Sequence, residues 1–381
     1  MSSTTKTGPA REPSRSAWVD SRLPFVQRWR TGIAMPGLPR ELPYLDWLPA
    51  LITGLLVFLA ASGLVLAVYY QAPHGYASLQ FIDRDVHQGW LIRDFHATGT
   101  TVLFGLCYLM LFRNMLIRSY RGAGDLAWVC GVAQFALLLL VGWLGYVLID
   151  GAVSAWSLRN AATAAQNFSN IPGAIATWFF GGPDGPGTLG RMAVFHAALG
   201  LAVFGIVALH RAARRAAAPA PVRPVAMHPY YTAQVFVAAI VLALIFVVFA
   251  FFLPHFGQNP LNAAPADRLV VPLAMTPPWY LIPISALAGI IPGTYGPLIG
   301  GILALAVLAA LPWLDRAAPG APPGGRMRIF VWILGLDVLA LGLDVAAGPS
   351  PVGSALALVF AAWYFLHFLV LTPLVTAMES K

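Results

Sequence analysis

Eight long apolar stretches set the pattern of the chain. They run at about 46–70, 91–117, 126–149, 188–210, 232–253, 290–314, 329–345 and 352–374. A helix needs about 20 apolar residues to cross the hydrocarbon core of a bilayer. The pattern therefore predicts an all-α polytopic membrane protein with eight transmembrane helices. The seventh stretch is the weakest, because it is short and carries Asp337 and Asp344. Two long connections, about 150–187 and 254–289, are expected as outer loops, and loops of that length are often functional. The Ala-, Pro- and Arg-rich segment Ala212 to Pro224 reads as a surface linker. The order is a tail over 1–45, a first helical region over 46–213 and a second over 214–381, with no internal repeat.

Composition agrees. Of the residues, 59% are apolar and 10% charged, and the mean hydropathy is +0.73. These values exclude a soluble globular domain and a disordered chain. The two cysteines, Cys107 and Cys130, exclude a disulfide scaffold and a cysteine-rich metal site, and read as packed free thiols. Residues 1–45 lack an apolar core, so no cleavable signal peptide is expected.

The net charge of +8 would suggest nucleic acid if the cations formed a patch, but their positions say otherwise. Eighteen of the 23 Lys and Arg residues fall in the tail, in the connections after the second, fourth and sixth stretches, or at Lys381. The other side holds Arg84, Arg93, Arg159, Arg191 and Arg268. By the positive-inside rule both termini are then cytoplasmic. The basic balance is a topology signal, and the partner it implies is membrane lipid, with no nucleic acid.

Three of the eight histidines, His96, His196 and His210, lie in or at the predicted spans. One intramembrane histidine is either a functional group or a side chain bonded to a neighbouring helix. Spacing adds to this. His196 and His210 are 14 residues apart, an advance of about 21 Å that returns to within about 40° of the same helix face. Two ligands so placed can serve two cofactors, one near each membrane surface, and imidazole is a common axial ligand of heme iron. On the second span His96 is level with His196, and Met110, 14 residues on, is level with His210. Thioether is also a heme ligand. Arg93 and Arg191 sit at the outer end, where a heme propionate needs a cation; interfacial arginines that snorkel are the alternative. On the third span Gly131 and Gly145 are again 14 apart. They suit close approach of a flat macrocycle or ordinary small-residue helix packing. Together these features describe a four-helix heme-binding bundle made of the first four spans, followed by the C-terminal helices.

From about residue 40 to 375 the chain resembles the cytochrome b subunit of the quinol–cytochrome c oxidoreductases. The likeness lies in SGLVLAVYY (62–70), RDVHQGWLIRDFHATG (84–99), GYVL (145–148) and TLGRMAVFHAALG (188–200). It continues in HPYYT (228–232), PPWYLIP (277–283), LPWLDR (311–316) and FLHFLVLTPL (365–374). The resemblance implies eight helices with two b hemes between the second and fourth. His96 and His196 match the ligands of the outer heme, Arg93 and Arg191 its propionate arginines, and Gly63 and Gly145 the glycines packed against it. It further implies an outer quinol-oxidising pocket and an inner quinone-reducing pocket. The implied partners are a Rieske iron–sulfur protein and a c-type cytochrome, in a homodimer or a heterodimer with another cytochrome b. The implied location is the bacterial cytoplasmic (inner) membrane.

The pattern breaks at three places. At the inner heme site His210, Gly131 and the basic Arg113 remain, but Met110 stands where the family has histidine and Pro49 where it has glycine. A His/Met heme, a five-coordinate heme on His210 and no heme are the three states open; a lost heme would leave a destabilising void, which favours a bound one. At the inner quinone pocket Ala216, Gln234 and Val235 replace a histidine, a lysine and an aspartate, although quinone reduction takes up protons. At the outer pocket Pro278 replaces the acidic residue before Trp279 and Tyr280. The proline–tryptophan–glycine of the family after GYVL is here Ile149, Asp150 and Gly151. Asp150 is therefore the candidate replacement proton acceptor, with a solvated loop aspartate as the alternative.

The expected function is a divergent cytochrome b subunit that carries electrons across the membrane through its heme or hemes, with altered quinone pockets. The alternative is a heme-bearing partner or scaffold subunit beside a full cytochrome b or a membrane dehydrogenase, without quinone turnover of its own. A transporter would not need ligands at 14-residue spacing. His367, in the last span, is expected to be packed and hydrogen-bonded.

Overall fold

A computed structural model describes residues 38–39, 45–167, 170–181, 187–217, 224–253, 255–267, 269–272, 275–318, 324–347 and 350–379. The tail over 1–45 lies almost wholly outside them. The long apolar runs fold as helices: α1 Leu48–Tyr69, α3 Gly89–Leu116, α4 Asp125–Val147, α7 Thr188–Ala217 and α8 Met227–Phe252. Between α1 and α3 lies α2, Gly75–Arg84. The long connection after α4 is not a loop, because it folds into α5 Ala152–Gln166 and α6 Asn170–Phe180.

The chain forms two compact units, one of Met1–Trp47 with Pro219–Leu242, the other of Leu48–Ala218 with Ala243–Lys381. The described part of the first unit includes an antiparallel two-residue ladder, β1 Leu38–Pro39 with β2 Pro224–Val225.

Within the second unit, α1, α3, α4 and α7 share one apolar core. Ile52, Leu55 and Leu56 of α1 meet Leu103, Phe104 and Cys107 of α3, Phe135, Leu138 and Leu139 of α4, and Val203 and Val207 of α7. This is the four-helix bundle that the sequence pattern predicts. Cys107 and Cys130 are buried free thiols, also as expected.

The C-terminal half departs from the expected spans. Six helical segments among the described residues are long and apolar enough to cross a membrane, not eight. The sixth predicted span is a 14-residue helix, α10 Gly296–Ala309, preceded by the buried α9 Ile282–Gly289. Pro292 and Gly293, the latter at φ +94°, lie between them and break the run. The residues of α9 are apolar because they pack in the protein: Ile282, Pro283, Ala286, Leu287 and Ala288 are all buried. The seventh stretch is α11, Gly325–Ala347, a 23-residue helix outside the six. The last span holds α12 Pro351–Leu366, a π-helical turn His367–Leu371 and α13 Thr372–Met378. Part of the expected linker after α7 is helical, since α7 runs to Ala217. Alanine is the best helix former, so its run of Ala and Arg extends the helix.

Candidate functional site

His96 projects from α3 and His196 from α7, and their ring centroids lie 6.2 Å apart with planes at 76°. Two imidazoles on opposite sides of one metal, each nitrogen about 2 Å away, have centroids about 6 Å apart. The hydrogen bonds then fix which nitrogen each ring offers. His196 Nδ1 lies 2.9 Å from the Val141 carbonyl oxygen, which can only accept, so Nδ1 carries the proton and Nε2 the lone pair. His96 Nδ1 lies 3.0 Å from Ser62 Oγ. The Ser62 hydroxyl donates to the Leu59 carbonyl at 3.2 Å, so Oγ accepts from His96 Nδ1–H. Both rings thus present a bare Nε2, with the other nitrogen held by an outer partner as metal-bound histidines require.

The glycines act on the imidazoles. A Cβ at Gly63 would stand 3.0 Å from His96 Cε1, and one at Gly145 would stand 2.8 Å from His196 Cε1. Each glycine therefore clears the space in which a ligand ring rests against the facing helix. Sequence spacing found Gly145 and read it as room for a macrocycle or as small-residue helix packing; the structure puts the histidine edge there. Ser62, Val141 and Leu59 were missed, because hydroxyl and carbonyl partners leave no pattern in spacing.

The two outer arginines have protein neighbours here. Arg93 makes an ion pair with Asp83 of α2. Burial lifts the Asp83 carboxyl above its ordinary pKa, against the lowering pull of Arg93. The Arg191 guanidinium lies against Gly181, which sits at φ +72° where a Cβ has no room. Deeper in the bundle, His210 Nδ1 is buried beside Gly131, where a Cβ would come within 3.2 Å of His210 Cε1. Met110 is half-buried against the four-helix core. Arg113 is buried at the end of α3 and donates to Asn114 Oδ1 at 2.9 Å.

The residues expected at the outer quinol pocket fall in two different settings. Tyr280 stacks on Phe104, with centroids 4.1 Å apart and planes at 4°, and its hydroxyl donates to the Gly142 carbonyl at 3.1 Å. A Cβ at Gly142 would meet the Tyr280 ring at 2.9 Å, so Gly142 makes this stack fit. Trp279 lies beside Tyr108 and Gly257, and its Nε1 is buried without a partner among the described protein atoms. Asp150, at φ +53°, sits against Gly75 and Tyr70 at the junction of α1 and α2. Burial, and then the Asp150 charge, push the Tyr70 phenol above its usual pKa. Next to it, Asn262 Oδ1 accepts from Val153 N at 3.0 Å and Ser154 N at 2.9 Å, so the α8–α9 connection caps α5. His367 is packed at 0% exposure as expected, but neither ring nitrogen meets a protein partner among the described residues.

Comparison with known proteins places these features in a family. The model described as "Cytochrome b/b6/petB" matches residues 39–217, and "Cytochrome b(C-terminal)/b6/petD" matches 265–368. The cytochrome b of Rhodospirillum rubrum is 32% identical over 95% of this chain and 93% of its own length. That of Rickettsia bellii (strain RML369-C) is 33% identical over 95% and 94%. Among solved structures, a chain of "Hyperthermophilic respiratory Complex III" superposes with a TM-score of 0.81 at 26% identity, covering 95% of this chain and 99% of that one.

Proposed function

The chain belongs to the cytochrome b family, and we propose that it is the electron-transfer subunit of a respiratory cytochrome bc-type complex, with altered quinone pockets. The observation that carries this reading is the facing pair His96 and His196, each with Nδ1 bonded and Nε2 bare. A b heme bound there supplies a reversible one-electron iron couple inside the membrane. His96 and His196 would hold it through their bare Nε2 atoms. Ser62 and the Val141 carbonyl hold their tautomers, and Gly63 and Gly145 let the rings seat. Arg93 and Arg191 would supply the cations for its propionates, with Asp83 holding Arg93 in place.

The quinone chemistry is where this chain departs from its family. Ala216, Gln234 and Val235 offer no carboxylate, imidazole or ammonium for proton uptake at the inner pocket. At the outer pocket Pro278 cannot accept a proton, and the Tyr280 hydroxyl is committed to Gly142. Asp150, Trp279 and Tyr280 remain the proposed outer-pocket residues, Asp150 as proton acceptor and Trp279 through its buried Nε1–H. The protein resides in the bacterial inner membrane with both termini cytoplasmic, alongside a Rieske protein, a c-type cytochrome and a second cytochrome b-type chain.

The second reading, a heme-bearing partner subunit without its own quinone turnover, is favoured by the missing acid–base groups at both pockets. Anaerobic addition of a short-chain hydroquinone to the purified oxidised complex separates the two. Reduction of b heme, weakened in Asp150→Asn, supports quinol oxidation by this chain. Heme that stays oxidised with quinol but is reduced by dithionite supports the partner reading.

A further inference from the structure

We propose that the α11–α12 interface binds a cluster of ordered waters around Asp337, Trp363 and His367, and that His367 exchanges protons through it with the Arg316 end of the helix pair. Orphaned polar atoms carry the proposal. Asp337 Oδ2, Trp363 Nε1 and both ring nitrogens of His367 are buried without a partner among the described protein atoms. Buried polar groups are as a rule hydrogen-bonded, to protein or to ordered water. These atoms lie along one interface. Phe330 and Asp337 are seven residues apart, on one face of α11. The Phe330 ring lies 6.4 Å from that of Trp363, and the Asp337 carboxyl is within electrostatic reach of Tyr364. Trp363 and His367 are four residues apart, on consecutive turns of α12. Their chemistry matches water. The indole only donates, a carboxyl oxygen accepts and a neutral imidazole does one of each, while a water molecule does both. A cation would be refused by the indole N–H, and an anion by the carboxyl oxygen.

The backbone is shaped to bring His367 into this row. His367 opens the π turn His367–Leu371, and Thr372 follows it. Five residues along an α-helix turn by about 140°, so an unbroken α-helix would put His367 and Thr372 on different faces. The π turn absorbs one extra residue and returns both to the interior. His367, Thr372 and Thr376 are all fully buried. Thr372 Oγ1 donates to the His367 carbonyl at 2.8 Å, Thr376 Oγ1 to the Thr372 carbonyl at 2.6 Å, and Arg316 N to Thr376 Oγ1 at 2.9 Å. A polar row therefore runs from His367 to the segment that holds Arg316. A neutral imidazole passes a proton by accepting on its bare nitrogen and releasing from the other, with no net change of charge and no electron moved. Few other titratable groups face it. None stands on α9, α10, α13 or Leu311–Leu314. Asp337 comes from α11, and α12 adds Tyr364, whose hydroxyl donates to the Ala304 carbonyl at 2.9 Å. On α3, Tyr108 donates to the Tyr280 carbonyl and Arg113 to Asn114 Oδ1. At the far end of the row Asp315 and Glu379 pair with Arg118 and Arg121, and Tyr120 bonds Asp315.

The test uses the purified full-length chain in detergent, with isotope-labelled tryptophan indoles followed by nuclear magnetic resonance. Trp363 is identified by the signal that Trp363→Phe removes. Trp128, whose buried indole donates to the Leu308 carbonyl at 2.8 Å, is the dry reference. The expected result is a cross-peak between bound water and the Trp363 indole N–H, and faster exchange into deuterium oxide there than at Trp128. His367→Phe should remove the cross-peak. His367→Gln should keep it and slow the exchange several-fold, because an amide holds water without relaying protons. Thr372→Val should slow the exchange as well. A Trp363 indole that is as dry and as protected as Trp128 in the parent protein overturns the proposal without recourse to any variant. A cross-peak that survives His367→Phe, or exchange that His367→Gln leaves unchanged, also overturns it. Heme content enters none of these readings, so the heme proposal stands or falls separately.

Discussion

At the scale of single residues, the proposed heme site is specified as much by what is missing from glycine as by what histidine supplies. The 2.8 Å approach of a Cβ at Gly145 to His196 Cε1 is below normal contact, whereas the 3.2 Å at Gly131 is only tight. Overpacking of this kind costs about 1–3 kcal/mol, on the order of ten-fold in occupancy. We therefore expect Gly145→Ala to lower outer-heme content several-fold and Gly131→Ala to do less at the inner site, read from heme-specific absorbance per chain. Ser62→Ala removes the acceptor that holds His96 Nδ1–H, and loss of such an outer partner weakens metal sites by about 10-fold to 100-fold. The matching check is heme retention on dilution, with Thr53→Ala, which breaks only the 2.7 Å hydroxyl bond to Pro49, as the control. The facing pair His96 and His196 was legible in the sequence because metal binding, the proposed role, demands a residue type at a helical period. Ser62 was not, since a serine in an apolar run has many uses and only the fold shows which carbonyl takes its proton.

At the scale of elements, helices were legible wherever an apolar run was long, and the errors come where apolarity has another cause. The sixth stretch, 290–314, yields only the 14-residue α10, because Pro292 and Gly293 interrupt its start, and the apolar α9 just before it, in the connection read as an outer loop, is buried in protein. The opposite error occurred at α5, where a polar, Ala-rich stretch folds as a helix held in part by Asn262. Sequence distance also hides a charged clamp. Asp315, with its side chain 0% exposed, takes the Tyr120 hydroxyl at 2.9 Å and lies 3.6 Å from Arg118 Nε. Arg118 in turn bonds Glu379 Oε2 at 2.8 Å, and the other oxygen of Glu379 caps Met327 N at 3.0 Å. The clamp joins the end of α3, the segment after α10, the start of α11 and the C-terminus. Asp315→Ala leaves Arg118 buried without this counter-charge, and breaking a buried pair costs about 3–5 kcal/mol. The expected outcome is a clear drop in thermal midpoint in detergent with the heme spectrum unchanged below it; an unchanged midpoint would show that the clamp does not hold these elements.

At the scale of the whole molecule, scarcity of charge marks a membrane protein, and the placement of the few charges carries the proposed orientation. The proposed orientation, which puts 18 of the 23 cations on the cytoplasmic side, predicts that an alkaline phosphatase fused after Lys381 is inactive in cells and that one inserted in the connection after α4 is active. The reverse pattern would invert the assignment of outer and inner heme sites. The family and the four-helix bundle were readable from motifs spread over nearly the whole chain. The surroundings of Asp150 and Tyr280 were not, because the letters alone do not place Asp150 against Tyr70 or the Tyr280 hydroxyl on the Gly142 carbonyl.

His96 and His196 are proposed to hold one b heme between them. That proposal is tested most directly by the heme content and ferric spectrum of the purified full chain beside its His196→Ala variant. A low-spin bis-imidazole heme is expected in the parent protein and its loss from the variant, with the chain still folded by circular dichroism. A parent protein without b heme, or a variant that keeps the same bis-imidazole spectrum, would contradict it.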